Sequence, residues 1–247
     1  MSDWNDPRTT QSPFGSGPAI NGASLETVTM DQGLRRYMLS IYNYMASGVL
    51  LSGIVALLFA NSGFAAQVMG TPLRWVIALA PLAFVMVMSF GMHRLSTATL
   101  NLLFWAFSVV MGLSLSAIFL IYTGPSIALT FFSTAGAFAG LSLYGYTTKR
   151  NLSGMGSFMM MGLIGLILAS LLNLWLQSGP LSLAISAIGV IIFAGLTAWD
   201  TQRLRETYYH VAGTDMMGKV VIMGALSLYL DFINMFQFLL SFLGNRE

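Results

Sequence analysis

Seven blocks of mostly apolar residues follow one another along the chain, at roughly 37–60, 73–92, 99–122, 126–147, 156–176, 181–204 and 219–243, separated by charged or Pro/Gly breaks. Each is near the ~20 residues an α-helix needs to cross a bilayer. The expected fold is therefore all-α, a polytopic membrane protein with seven transmembrane helices. The last block is the most polar, because it carries Asp231, Asn234 and Gln237. Facing lipid would be costly for it, so it is expected at the centre of the bundle.

Composition agrees with this pattern. Of 247 residues, 56% are apolar and 8% charged, whereas a soluble domain carries roughly a quarter charged residues. Residues 1–33, with Pro7, Pro13, Gly15, Gly17 and Pro18 among polar neighbours, lack the apolar core of a signal peptide. They read as a flexible tail ahead of a membrane domain spanning 34–247, whose first span inserts uncleaved. The chain has no cysteine, which excludes disulfides, thiolate metal sites and thiol catalysis, and its two histidines, His93 and His210, make no metal motif. No resident cofactor is expected. A net charge of +2 is too small to suggest nucleic acid.

The basic residues set topology instead. Arg8, Arg35 and Arg36 precede the first span, Arg94 follows the second, Lys149 and Arg150 follow the fourth, and Arg203, Arg205 and Lys219 flank the connection from sixth to seventh. Arg74 and Arg246 remain for the other face. This asymmetry predicts a cytoplasmic N-terminus and, with seven crossings, a C-terminus outside. Moving Arg246 inside would suit the charges equally well, so the crossing of the last segment rests on its length. Small residues in the fourth and fifth spans (Gly136, Ala139, Gly140; Gly162, Gly165, Ala169) are expected to let helix backbones approach closely.

Among nine acidic residues, Asp200 and Asp231 alone fall within the apolar blocks. A carboxylate at membrane depth costs a few kcal/mol on insertion scales and marks a partner, a wet cavity or a task. The two lie in consecutive spans that run antiparallel, so they can meet, and two adjacent carboxylates cannot both ionise cheaply. Such a pair shares a proton and switches its charge as a unit, which is the chemical outline of a pH sensor. Drawn to residue 204, the sixth span leaves Asp200 and Asp231 about 12 Å apart in depth. They meet if that helix runs on to about Tyr208, and nothing before Gly213 breaks it. Thr201, Tyr229 and Asn234, polar neighbours of the pair, are candidate pore-lining or supporting groups. Arg94 is a candidate cationic latch to Asp200, against the simpler role of a headgroup anchor.

The stretch Leu226-Ser-Leu-Tyr-Leu-Asp-Phe-Ile-Asn-Met-Phe236 closely resembles the last-helix signature of the Bax inhibitor family, the transmembrane Bax inhibitor motif proteins. Gly145-Tyr-Thr-Thr-Lys-Arg-Asn-Leu-Ser-Gly154, Leu196-Thr-Ala-Trp-Asp-Thr-Gln202 and Leu34-Arg-Arg-Tyr37 resemble three further stretches of that family. The resemblance implies a seven-helix fold with a central last helix. It also implies a pH-sensitive calcium leak gated by a proton-sharing pair, here Asp200 and Asp231, with Arg94 matching the family's latch arginine. Calcium would be the transported ion, held weakly in transit, because two carboxylates fall far short of a six-to-eight-oxygen cage. The short N-terminal tail and the ending Gly244-Asn-Arg-Glu247 suit a bacterial member in an inner membrane.

Two aspartates on neighbouring membrane helices also describe intramembrane aspartyl proteases. Those resemble one another in a Gly-x-Gly-Asp motif, whereas Asp231 follows Tyr-Leu and Asp200 follows Trp, so no enzyme is expected. A non-transporting regulator that binds a membrane protease or another membrane protein through the tail is the alternative.

Overall fold

A computed structural model describes residues 22–245, and side chains from Gln32 onward except that of Met69. The described residues form helices α1 (Gly22–Asn61), α2 (Phe64–Met69), α3 (Leu73–Gly91), α4 (Thr97–Leu115), α5 (Gly124–Thr147), α6 (Ser153–Leu176), α7 (Gly179–Val211) and α8 (Met217–Leu243). A 3-10 turn, Ser116–Leu120, extends α4. Seven helices are long and apolar enough to cross a membrane, with α1 counted from Gln32 to Asn61 and α2 as a short connector. The molecule is an all-α polytopic membrane protein. Much of the expected tail lies outside the described residues, and from Gly22 onward it is already helical.

The helix boundaries follow local chemistry. Ser96 and Ser178 cap α4 and α7 by accepting the Thr99 and Leu181 amides, while Pro125 and Pro180 sit in the first turns of α5 and α7, where a missing N–H costs nothing. Gly213, just after α7, opens the turn toward α8 with φ +75°, a left-handed backbone that glycine adopts freely. Helix α7 therefore runs past Asp200 to Val211, as the absence of earlier breakers predicts.

Helix α8 is the bundle's axis. Within its most apolar window 72% is buried inside the protein, against 11% to 39% for the other six spans. It packs against α1, α4, α5 and α7, while α6 leans on α7 at the periphery. Leu226, Leu228, Tyr229 and Met235 are all but inaccessible. Helix association in lipid gains little from apolar burial, so close packing and hydrogen bonds carry it. One such knot joins three helices: Ser52 Oγ donates to Ser108 O at 2.6 Å and lies 2.6 Å from the Tyr229 hydroxyl.

The small residues of the fourth and fifth spans act only in part where the spacing suggested, with Ala169 packed on the core. A Cβ added at Gly136, Gly140 or Gly165 would meet open space. In these two spans the close approaches are at Gly145, where α5 lies directly on the Ala198 carbonyl of α7, and at Gly156, which accepts the Trp199 ring. Among the expected glycines, Gly162 alone touches a facing helix, at Ile192.

Candidate functional site

The acid pair assembles where α7 and α8 run antiparallel. Asp200 stands eleven residues from the end of α7 and Asp231 fourteen from the start of α8. At 1.5 Å per residue the two differ in depth by about 4 to 5 Å, within side-chain reach. Both carboxyls line the same cavity, and each residue is only 5% exposed.

Around the pair the partners are few. The Ser227 hydroxyl donates to Asp200 Oδ2. Arg203, one turn along α7, brings Nη2 to 3.0 Å from Asp200 Oδ1 and also reaches the Ser227 hydroxyl at 3.4 Å. Its guanidinium lies over the Trp199 ring, 4.7 Å from the centroid, so the indole face holds the cation in place. The Arg203 side chain is 47% exposed, while that of Asp200 is 7% exposed, so the cation stands at the wet margin of the site. Asp231 Oδ2 is buried without a hydrogen-bond partner, and the Arg203 contact to Asp200 Oδ1 is an ion pair without directed hydrogen-bond geometry.

Both carboxyls open on a cavity of about 650 Å³ between α6, α7 and α8. The wall from α6 is almost wholly aliphatic, and the polar lining comes from Asp200, Arg203, Ser227, Asp231, Asn234 and Ser170. A charge placed there is poorly solvated, which makes its electrostatic partners matter more than they would in water.

Of the residues singled out in the sequence, the structure brings Asp200, Asp231 and Asn234 to this cavity. Asn234 donates to the Leu230 carbonyl one turn back and keeps its side chain at the wall. Thr201 and Tyr229 do not line the cavity: Thr201 Oγ1 is 3.5 Å from the Tyr42 hydroxyl, and Tyr229 is bound to Ser52 on the far face of α8. Arg94 lies exposed after α3 and is not among the groups acting on either carboxyl; the cation beside Asp200 is Arg203. Sequence reasoning had counted Arg203 only as a topology charge, although its i+3 spacing from Asp200 places both on one helix face. Ser227 could have been found the same way, four residues before Asp231.

A second set of contacts fixes the connection between α5 and α6 to α7 near the pair. The buried Gln202 amide accepts the Leu152 N–H at 2.8 Å and donates to the Arg150 carbonyl at 2.8 Å, and Arg205 donates to the Tyr146 carbonyl. The stretch Tyr146–Leu152 is thereby tied to the helix that carries Asp200.

Six membrane-length helices around a polar central seventh, with a buried acid pair facing a cavity, define a polytopic membrane protein with an ionisable centre. The family model described as "Inhibitor of apoptosis-promoting Bax1" matches residues 34–247, and the chain belongs to that Bax inhibitor family. It is 50% identical over 230 residues to the uncharacterized protein RP147 of Rickettsia prowazekii, covering 89% of this chain and 93% of that one. A Caulobacter vibrioides protein is 48% identical over 234 residues, covering 89% and 93%. The inner membrane protein YbhL of Escherichia coli is 48% identical over 219 residues, covering 87% and 94%.

Proposed function

We propose that the protein is a pH-sensitive, calcium-permeable leak channel of a bacterial inner membrane, gated by the proton shared between Asp200 and Asp231. The observation that carries this reading is the meeting of two buried carboxyls at a cavity beside the central helix. In the closed form the shared proton limits the pair to one negative charge, and Arg203 with Ser227 balances it. A change of protonation alters the charge on α7 and α8 together, which biases the contact between them. Oxygen ligands suit Ca2+, and among the described residues no cluster of three or more His, Cys, Asp or Glu gathers to cage a metal. Weak transit binding follows from so few ligands.

Placement in an inner membrane rests on the seven spans and the likeness to YbhL, and the basic end of the bundle faces the cytoplasm by charge asymmetry. On this reading the N-terminus is inside and the C-terminus in the periplasm. Arg94 shares the basic end as an exposed headgroup anchor, and the counter-charge of the pair falls to Arg203. The test is calcium flux into liposomes holding the purified protein at pH 6 and pH 8, with Asp200→Asn and Asp231→Asn alongside. A flux that differs between the two pH values in the native protein, and not in the variants, supports the reading. Flux indifferent to pH and to both substitutions refutes it.

A further inference from the structure

The facing surfaces of α7 and α8 carry one continuous stripe each. On α7 it runs Ser182, Ser186, Gly189, Phe193, Leu196, Asp200 and Arg203, at alternating steps of four and three residues. On α8 it runs Ser227, Asp231, Asn234, Phe238 and Ser241. Steps of three and four keep residues on one helical face, so each stripe is a single line along the bundle. The antiparallel register is fixed at both ends, by Ser227 to Asp200 and by Ser186 Oγ to Ser241 Oγ at 3.0 Å.

Along this seam lie three cavities. The acid-pair cavity of about 650 Å³ shares Arg203, Ser227 and Leu230 with one of about 360 Å³ toward the basic end, which lies on the α3 side of the helix pair. At the opposite end it shares Ser170, Leu174 and Phe238 with one of about 270 Å³. That last cavity is lined by polar groups, among them Asn173, Ser182, Ser186, Gln237 and Ser241. A membrane protein keeps a run of hydroxyls and amides at the end of an otherwise apolar helix pair where water reaches it.

Between the polar end cavity and the acid pair stands Phe238. Its ring stacks on Phe193, with centroids 5.8 Å apart and planes 24° apart. It also rests on Gly189, where an added Cβ would fall 2.6 Å from the ring. Glycine there is the seat that lets the ring lie across the seam.

Resting on the channel reading above, we infer that Phe238, seated on Gly189 and stacked on Phe193, is an apolar gate that separates the acid pair from the polar cavity at the Leu243 end of α8. Hydrophobic constrictions close pores by excluding water, so the pore has two barriers of different kinds. The Arg203–Asp200–Ser227 cluster answers to protons; the Phe238 barrier answers to side-chain size.

The chain has no cysteine, so single cysteines can report access without background. In proteoliposomes, Asn234→Cys is exposed to a membrane-impermeant charged thiol reagent added on the side of the Leu243 end. Labelling is expected to be slow with Phe238 present and at least tenfold faster with Phe238→Ala, while Phe238→Leu, which retains an apolar plug, stays near the slow rate. Gln237→Cys, an exposed position lining the polar end cavity, should label from that side in every background, and an unchanged monodisperse elution profile shows that each variant is folded. Equal labelling of Asn234→Cys with and without Phe238, or protection that persists in Phe238→Ala, overturns the gate. Because labelling needs no calcium, absence of calcium flux would refute the channel's ion assignment without touching this result. If calcium flux is present, Phe238→Ala is expected to raise it several-fold at whichever pH the native protein conducts less.

Discussion

Arg203 Nη2 lies 3.0 Å from Asp200 Oδ1, three residues away on the same helix, so the cation that balances the acid pair travels with α7. A latch carried by another helix would be broken by relative movement of the two helices; this one survives such movement and serves as a fixed counter-charge. Its position over Trp199 restrains the guanidinium further.

The first prediction separates the two arginines. Arg203→Gln removes the charge beside Asp200 and should move the pH midpoint of calcium flux, whereas Arg94→Gln, at an exposed position after α3, should leave the midpoint in place and change at most the open-state rate. Flux measured from pH 5 to pH 9 in liposomes decides this. A midpoint that responds to Arg94→Gln and ignores Arg203→Gln would assign the counter-charge to α3.

Packing offers a sharper contrast. Gly145 lies on the Ala198 backbone carbonyl, which cannot rotate away as a side chain could, while Gly140 faces open space. Gly145→Ala is therefore expected to destabilise the bundle by about 1–3 kcal/mol through overpacking, and Gly140→Ala to be neutral or slightly stabilising, since alanine is the better helix former. Thermal unfolding in detergent, followed by loss of monodispersity, measures both. Equal melting of the two variants would remove Gly145 as a contact point.

The same pair of glycines shows how much of the molecule was legible in its sequence. The spans were readable because hydropathy is a local, additive property, and a 20-residue apolar block has few alternatives. The length of α7 was readable from the lack of a breaker before Gly213, and the acid pair from the cost of a carboxylate in lipid. Which glycine meets a neighbouring backbone was not, because a small-residue stripe marks a face of one helix without saying what lies opposite. Arg203 was hidden for another reason: a basic residue near a span end satisfies the topology rule whether or not it also holds an ion pair. Gly189 and Phe238 carry no local signal at all until α7 and α8 are set in register.

A further prediction concerns the tie between α7 and the α5–α6 connection. Gln202 supplies both an acceptor to the Leu152 amide and a donor to the Arg150 carbonyl. Gln202→Leu keeps the volume but leaves the buried Leu152 amide without this partner, a cost of about 1–3 kcal/mol for a buried polar group. Hydrogen exchange at the Leu152 amide should accelerate at least tenfold, with the amides of α3 unchanged. Exchange that is uniform across the protein would point to global loosening instead of a local tie.

Tyr229 tests the division between the two faces of α8. Its hydroxyl lies 2.6 Å from Ser52 Oγ, which itself donates to the Ser108 carbonyl, so the group joins α8 to α1 and α4 on the side away from the acid pair. Tyr229→Phe removes one buried hydrogen bond and keeps the ring packed edge-on against Phe104 and Phe107. The expected loss is about 0.5–1.5 kcal/mol of stability, and Ser52 keeps a partner because its bond to Ser108 remains. The pH midpoint of flux should not move, since Tyr229 does not line the cavity that Asp200 and Asp231 share. A shifted midpoint with unchanged melting would show instead that the Ser52–Tyr229 contact is coupled to the gate, and would place the moving boundary between α8 and α1.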